Sequence, residues 1–177
     1  QQNHKKIPAM KKIIVIFFAF VFIGLSSCKE SEQPVNPADE LANIENILDQ
    51  YVIANENQDL SLIEKIWASD EDIILIGTNS DEKLVGWKAI KKAIKNQFKE
   101  FKDTYIAVSD QIIKINDTGN TAWFSELLNY NFIYNGKAQS FEGIRFTGVL
   151  EKKENNWEIV QGHLSIPVSV EIEETKK

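Results

Sequence analysis

Three titratable or charged side chains in the second half of the chain could carry proton chemistry: Glu126, Arg145 and His163. Asn135-Gly136 is the typical dipeptide of a two-residue type I′ hairpin turn, which fixes the pairing of its flanking strands. Counting outward from this turn places Glu126 opposite Arg145 on the core-facing side of the sheet. A turn of three or five residues near 153–156 would bring His163 to the same face, whereas a turn of four residues or a bulge would direct it away.

Such a cluster has two interpretations, and the sequence leaves both open. Buried charges are costly unless they are paired. The first interpretation is therefore a structural ion pair between Glu126 and Arg145, with a hydrogen-bonded core histidine. The other is the polar lining of a ligand pocket, since pockets use few but well-placed polar groups. If the protein is a cofactor-free enzyme, Glu126 or His163 would act as the base. Tyr51, Tyr130 or Arg145 would then stabilise an enolate.

Other chemistries have less support in the sequence. The chain has a single cysteine and two histidines, so no disulfide can form within it and a His/Cys metal site is not expected. No glycine-rich phosphate loop and no nucleophile elbow is present. We therefore expect no metal and no cofactor. The net charge is −6, which makes nucleic acid a poor partner.

The beginning of the chain has the pattern of a bacterial lipoprotein signal peptide. Lys11 and Lys12 precede the uncharged apolar run 13–25, which is shorter than the roughly 20 residues that cross a bilayer. Leu25-Ser26-Ser27-Cys28 resembles a lipobox, in which small residues precede a cysteine that is lipidated. We predict that residues 1–27 are upstream sequence and signal peptide, with the true start at Met10.

Lipidation of Cys28 would place the protein at the bacterial cell envelope, on the periplasmic side of the outer membrane or on the cell surface. The alternative is an ordinary signal peptide or a membrane-anchoring helix with a chance cysteine. Residues 28–37 contain two prolines and no apolar periodicity, which favours a flexible tether. Loss of the first 28 residues removes four lysines and no acid, so the remainder would carry a net charge of −10.

The remaining elements predict one α+β domain, at about residues 38–170, followed by a charged tail at 171–177. Three stretches have the apolar spacing of helices, at about 38–52, 59–67 and 87–101, and a short strand is expected at 72–76. Asp59 or Ser61 would cap the second helix. Four longer strands follow at about 104–115, 121–134, 138–152 and 157–166, which predicts helices packed on an antiparallel meander.

This order of elements resembles the SnoaL-like domains of the nuclear transport factor 2-like superfamily. Three stretches carry the resemblance: the helical segment 59–67, Gly86-Trp87-Lys88-Ala89-Ile90, and the closing strand WEIVQGHLS at 157–165. The resemblance implies a cone-like α+β barrel whose curved antiparallel sheet and three helices enclose a pocket. It also implies that the domain forms a homodimer through its sheet.

Because this superfamily contains isomerases, cyclases, dehydratases and non-enzymatic binders, the resemblance leaves the activity open. The first hypothesis is an envelope-anchored domain that binds a small apolar or anionic ligand, or a partner. The alternatives are a cofactor-free isomerase, dehydratase or cyclase, and a purely structural homodimeric domain. The candidate pocket residues are Tyr51, Trp67, Glu126, Tyr130, Arg145 and His163.

Overall fold

The computed structural model describes residues 36–79 and 81–168. The predicted signal peptide, the lipidation of Cys28, nearly all of the tether and the charged tail lie outside the described residues. Among the residues described, no helix is both long and apolar enough to cross a membrane.

Three helices form where the apolar spacing predicted them: α1 (Pro37–Asn57), α2 (Leu60–Ile66) and α3 (Trp87–Glu100). Asn36 caps α1, with its side chain accepting a hydrogen bond from the backbone of Ala38 and a proline at the first helical position. Asp59 caps α2, because its carboxylate accepts from the Leu62 amide at 3.0 Å. Of the two capping residues that the sequence offered, Asp59 is therefore the one used.

Six strands form one sheet, in the spatial order β2-β1-β6-β5-β4-β3. They are β1 (Ile74–Ile76), β2 (Lys83–Val85), β3 (Phe101–Ile115), β4 (Thr121–Tyr134), β5 (Lys137–Lys153) and β6 (Asn156–Ser165). The four long strands make the predicted antiparallel meander, but the sheet as a whole is mixed because β1 pairs in parallel with β6. The expectation of a wholly antiparallel sheet was therefore wrong. The strand β2 was missed because three residues are too few for a periodic signal.

The core lies between the helices and one face of the sheet, which we call the inner face. Along β4 every second residue from Ala122 to Phe132 is buried, which is the pattern of a strand with one covered face. Phe124 of β4 meets Phe146 of β5 edge to face, with ring centroids 4.9 Å apart. Gly148 permits this contact, since a Cβ there would lie 2.5 Å from the Phe124 ring. The opposite side of the sheet is called the outer face.

The β4–β5 hairpin follows the predicted register only near its turn. Asn135 and Gly136 both have positive φ, and Tyr130 pairs with Phe141 as expected. A β-bulge then places Glu142 and Gly143 opposite the single residue Asn129, whose side-chain oxygen accepts from the Gly143 amide at 2.9 Å.

The predicted pairing of Glu126 with Arg145 is therefore wrong. Beyond the bulge the register is displaced by one residue, so Arg145 pairs with Leu127 and Glu126 pairs with Phe146. A shift of one residue exchanges the two faces of a strand. Arg145 is consequently exposed on the outer face, while Glu126 is buried on the inner face.

His163 pairs with Thr147, and none of the turn lengths considered from the sequence produces this pairing. The turn between β5 and β6 has only two residues, Glu154 and Asn155, both with positive φ. A bulge at Val160 then shifts the pairing by one residue. His163 is half-buried on the outer face, so the expected cluster of Glu126, Arg145 and His163 does not form.

The first turn of α1 is fixed to the β5–β6 hairpin by a buried carboxylate. Glu40 accepts from Lys152 Nζ at 2.8 Å and from Trp157 Nε1 at 2.6 Å. Burial raises the pKa of the Glu40 carboxyl, but the hydrogen bonds from Lys152 and Trp157 outweigh it, so the pKa lies below its ordinary value. This contact holds the first turn of α1 against the β5–β6 hairpin in the middle of the sheet.

Candidate functional site

A cavity of about 480 Å³ lies between the helices and the inner face of the sheet. Its walls come from the second half of α1, from α3, from the β1–β2 segment and from strands β3 to β6. Its lining residues are Tyr51, Asn55, Trp67, Leu75, Gly77, Thr78, Asn79, Glu82, Ala93, Ile94, Asn96, Gln97, Glu100, Phe101, Tyr130, Phe132, Phe141, Ile144, Leu164 and Ile166. This volume is within the range of about 300–1,000 Å³ typical of small-molecule sites.

One wall of the cavity is built from three phenylalanines on neighbouring strands. Phe132 of β4 stacks on Phe101 of β3 with ring centroids 3.9 Å apart, and on Phe141 of β5 at 5.9 Å. Both pairs are nearly parallel, with interplanar angles of 13°. The rings can align because alternate residues of adjacent strands share a face. They give the cavity a continuous apolar surface.

A small hydrogen-bond network crosses the cavity between the two helices and the sheet. Gln97 of α3 donates from Nε2 to the Tyr130 hydroxyl at 3.0 Å and to Asn55 Oδ1 at 3.3 Å. The Tyr130 hydroxyl donates to the same Asn55 oxygen at 3.4 Å. Asn55 is itself held by a bond of 2.8 Å from its Nδ2 to the Tyr51 carbonyl. The network therefore has a fixed orientation.

Both tyrosines of the cavity remain protonated at physiological pH. Burial raises the pKa of the Tyr51 hydroxyl far above its ordinary value, and the charge of Glu126 adds to this. Burial also raises the pKa of Tyr130, with further contributions from Tyr51 and Glu56 that exceed the opposing hydrogen bond from Gln97. These hydroxyls can donate and accept hydrogen bonds, but neither serves as a base.

Trp67 follows α2 and forms part of the buried lining. The residue is 1% exposed, and its backbone makes a parallel bridge to Ile159 of β6. Its indole Nε1 has no hydrogen-bond partner among residues 36–79 and 81–168. Buried polar groups without a partner are uncommon in folded proteins. Because Nε1 has less than 1 Å² of accessible surface, this donor lies in the packed core behind the cavity surface.

Polar and acidic residues surround the opening of the cavity. Thr78, Asn79, Asn96 and Glu100 are exposed, and Glu82 is half-buried. Among the described residues that line the cavity there are two carboxylates and no lysine, arginine or histidine. No cationic side chain of the described lining therefore pairs with the two carboxylates at the opening.

Glu126 is a second unusual group, close to the cavity but not part of its lining. It is 1% exposed, and its Oε2 accepts from Gln111 Nε2 at 2.7 Å. Its other oxygen has no partner within the described part of the chain. Burial raises the pKa of this carboxyl to about 7, opposed by the bond from Gln111 and reinforced by the charge of Asp49.

Of the six residues predicted to line a pocket, the fold brings three together. Tyr51, Trp67 and Tyr130 are in the cavity wall. Glu126 lies behind the wall, while Arg145 and His163 lie on the outer face of the sheet. The base proposed from the sequence, whether Glu126 or His163, is therefore not at the cavity.

Two polar residues at the centre of the site were not predicted, although the sequence contained a signal for them. Asn55 continues the buried side of α1 one turn after Tyr51, and Gln97 follows Ile94 on the buried side of α3. A polar residue on the apolar stripe of a helix must find a buried partner. Glu82 and Glu100 carry no comparable signal, because single carboxylates near helix ends and turns are common on any surface.

The described residues contain no group of three or more histidine, cysteine, aspartate or glutamate side chains placed to hold a metal ion. The chemistry that the arrangement itself offers is hydrogen bonding and apolar contact, with carboxylates only at the opening.

Comparison with known proteins identifies relatives of the whole domain. The model of the SnoaL-like domain family matches residues 44–169. No curated protein matches the sequence.

Several solved structures share the fold. A nuclear transport factor 2-like superfamily protein from Salmonella enterica serovar Typhimurium has a TM-score of 0.70 at 18% identity, over 80% of this chain and 100% of its own. A candidate dehydratase of that family from Streptomyces avermitilis has a TM-score of 0.66 at 13% identity, over 75% of this chain and 100% of its own. A candidate scytalone dehydratase from Novosphingobium aromaticivorans has a TM-score of 0.65 at 15% identity, over 74% of this chain and 86% of its own. At these identities the likeness concerns the fold.

Proposed function

Because the chain belongs to the SnoaL-like domain family, we propose that it is a binding domain that holds a small, largely apolar molecule in its cavity. The observation that carries this proposal is the combination of a 480 Å³ space with aromatic walls and a fixed Asn55–Gln97–Tyr130 network. Ligand sites are typically apolar concavities that contain a few oriented polar groups. A domain with only a structural role would be more stable if side chains filled this space.

The charges around the cavity favour an uncharged ligand over an anionic one. An anion would pass the carboxylates of Glu82 and Glu100 and would meet no cationic side chain among the described lining residues. Transfer of an unpaired anion from water into an apolar site is strongly unfavourable. Of the two ligand classes considered from the sequence, apolar and anionic, the apolar class is therefore the one we propose.

Thermal denaturation in the presence of small molecules tests this proposal. The protein would be a chain that begins after residue 28, since the Salmonella relative is matched over its full length by the domain alone. A panel of naphthalene-sized compounds, each in uncharged, anionic and cationic forms, would be added at equal concentration. A ligand present at 100 times its Kd stabilises the folded state by about 2.7 kcal/mol. We expect uncharged compounds to raise the Tm; if no compound of any class did so, the binding proposal would be wrong.

An enzymatic role is the second candidate, and the carboxylates at the opening are the observation that favours it. Glu82 and Glu100 are the only carboxylates among the described lining residues and could act as the base. The hydroxyls of Tyr51 and Tyr130 could stabilise a developing oxyanion. Two structural relatives are named as candidate dehydratases. Incubation of a bound ketone in D₂O would test this role. Deuterium exchange next to the carbonyl should depend on Glu82 or Glu100 if either acts as a base.

We also propose that the domain is tethered to the bacterial envelope through Cys28. The support is the sequence before and at Cys28: Lys11 and Lys12, a 13-residue apolar run and a lipobox-like Leu25-Ser26-Ser27-Cys28. An anchored protein cannot diffuse away from the envelope. A tethered binding domain would therefore hold its ligand there.

The partner proposed for the outer face of the sheet is a second copy of the chain. Three large apolar side chains are exposed on this face: Tyr105 at 62%, Ile112 at 61% and Trp123 at 51%. Exposed apolar patches commonly mark interaction sites. Association through the sheet is what the family resemblance implies, and it would leave the cavity open on the other side.

A further inference from the structure

We propose that Tyr51 selects the ligand of the cavity by donating a hydrogen bond from its hydroxyl to an oxygen atom of an uncharged molecule. This inference rests on the proposed function of the cavity and names the class of its ligand: an apolar body that carries a carbonyl or ether oxygen.

The first support is that the Tyr51 hydroxyl can be reached from the cavity. Tyr51 lines the cavity and is 7% exposed. Within residues 36–79 and 81–168, the side-chain atoms that are both fully enclosed and unpaired are Trp67 Nε1 and Glu126 Oε1. In the same part of the chain the Tyr51 hydroxyl forms no hydrogen bond, yet it is not one of these enclosed atoms. Its oxygen therefore keeps surface that a molecule in the cavity can touch.

The second support is that the Tyr51 ring has a fixed position. It packs against the ring of Phe146 with centroids 4.7 Å apart, and Phe146 is itself fully buried against Phe124. On α1, Tyr51 continues the buried side that contains Ile44 and Leu48. Because the ring is already ordered, a hydrogen bond from its hydroxyl to a ligand would lose little conformational entropy.

The third support is that the neighbouring polar groups leave the Tyr51 proton without an acceptor. Gln97 Nε2 donates to Tyr130 and to Asn55, and the Tyr130 hydroxyl donates to the same Asn55 oxygen. Asn55 Oδ1 thus accepts two bonds, which is its full capacity. Asn55 lowers the pKa of the Tyr51 hydroxyl, which is the effect of a donor near the phenol oxygen. The oxygen therefore has a donor nearby, while the proton is left for a ligand.

The fourth support concerns charge. Burial and the charge of Glu126 raise the pKa of the Tyr51 hydroxyl, so the group keeps its proton and acts as a donor. In its ionised form Glu126 would also repel a ligand anion at this point, and the described lining contains no cationic side chain to offset it. A cation has no free lone pair to accept the bond. Ketones, esters, amides and ethers on an apolar frame are therefore the favoured class.

A pair of matched probes tests the inference: 2-acetylnaphthalene and 2-isopropenylnaphthalene, in which a CH₂ group replaces the carbonyl oxygen. Calorimetric titration gives the Kd of each probe for wild type and for Tyr51→Phe. Sites that hydrogen-bond one group discriminate against analogues that lack it. We expect the ratio of the two Kd values to change by about tenfold between wild type and Tyr51→Phe, in favour of the ketone in wild type, which corresponds to one hydrogen bond.

Tyr105→Phe is the matched control, because Tyr105 is 62% exposed on the outer face of the sheet. The same hydroxyl is removed there outside the cavity, so the ratio of the two Kd values should stay as in wild type.

The Tm of the ligand-free protein provides a second readout. Loss of a buried hydroxyl that has no partner removes an unsatisfied group, so Tyr51→Phe should melt at or above the wild-type temperature. Tyr130→Phe should melt at a lower temperature, because its hydroxyl bonds to Gln97 and Asn55. Opposite effects of the same change at two cavity tyrosines would distinguish a group kept for a ligand from one that holds the fold.

Three outcomes would overturn the inference. If both probes bind and Tyr51→Phe leaves the ratio of their Kd values unchanged, the role of Tyr51 is refuted while binding in the cavity stands. If Tyr51→Phe lowers the Tm as much as Tyr130→Phe does, or does not fold, the Tyr51 hydroxyl serves the fold and not a ligand. If neither probe binds to wild type, the inference fails together with the uncharged ligand class.

Discussion

Gln111 of β3 donates from Nε2 to Oε2 of Glu126 on β4, at a distance of 2.7 Å. A bulge in β3 makes this contact possible: Asp110 adopts a positive φ of 51°, and the pairing shifts between Ser109 and Ile112. The partner of the buried carboxylate is thus an amide from the edge strand, in place of the arginine that a regular hairpin would have supplied. Burial raises the pKa of the Glu126 carboxyl to about 7, because the hydrogen bond from the uncharged Gln111 amide opposes the effect of burial only in part.

Glu126 should make the stability of the domain fall as the pH rises through neutrality. Its pKa of about 7 in the folded state lies above the ordinary value of 4.5 for this carboxyl, so the folded state holds a proton that the unfolded state releases. The favourable contribution is complete below about pH 4.5 and is lost by about pH 7. Glu126→Gln should remove this slope and be more stable than wild type at pH 8, by up to about 3 kcal/mol.

Urea denaturation at pH 5 and pH 8 measures that difference. Glu45→Gln, which removes an exposed carboxylate from α1, is the matched control and should behave as wild type at both values. An equal pH dependence in wild type and Glu126→Gln would contradict the assignment.

Arg145→Ala should change the free energy of unfolding by less than about 0.5 kcal/mol, because the side chain is exposed and forms no ion pair within residues 36–79 and 81–168. If Arg145 formed the buried pair with Glu126 that the regular register would give, the loss would instead be a few kcal/mol. Thermal denaturation of the variant distinguishes an exposed Arg145 from one that is paired with Glu126 in the core. A large drop in Tm would mean that the bulge at Gly143 is absent in solution and that the regular register holds.

Lys152→Ala should destabilise the domain by about 2 kcal/mol, since it leaves the buried Glu40 carboxylate with only the bond from Trp157. The adjacent Lys153→Ala is the control: Lys153 pairs with Asp70 on an exposed surface, and its removal should change stability little. Because the folded pKa of Glu40 is lowered, its contribution is present at neutral pH and is lost as the pH falls through that pKa. Denaturation of both variants at pH 7 gives the comparison, and similar losses in the two would contradict the buried role of Glu40.

The outer face gives a prediction about association. If a second copy of the chain covers it, replacing Ile112 and Trp123 together by serine should convert a dimer to a monomer without lowering the Tm of the monomer. Light scattering coupled to size exclusion provides the mass. A wild-type domain that is monomeric at all concentrations would contradict the dimer.

Cys28→Ala should abolish membrane attachment in the cell. The wild-type protein is expected to partition into detergent through its acyl chains, and the variant is expected to stay in the aqueous phase. Equal partition of the two proteins would exclude lipidation at this position.

The helices, the four long strands and the Asn135-Gly136 turn could be predicted because each depends on local spacing. The bulges could not be derived in the same way. Gly143 within a strand is a recognisable signal for one, but nothing in the residues around Val160 or Asp110 distinguishes a bulge from regular pairing. Each bulge changes which residues share a face, so the predicted Glu126–Arg145 pair failed although the turn was correctly identified. The cavity residues Tyr51, Trp67 and Tyr130 could be predicted from the sequence because they are aromatic residues in apolar stripes. The role of Gln97 could not, because it depends on contacts between elements that are distant in the chain.

The central claim, that a small apolar molecule binds between the helices and the sheet, is tested most directly by blocking the cavity. Leu164 lines it, while the next residue, Ser165, lies on the opposite face of β6. Calorimetric titration of the best uncharged compound should give the same Kd for wild type, Ser165→Trp, Arg145→Ala and His163→Ala, and at least about tenfold weaker binding for Leu164→Trp. Unchanged affinity in a folded Leu164→Trp protein would contradict the account.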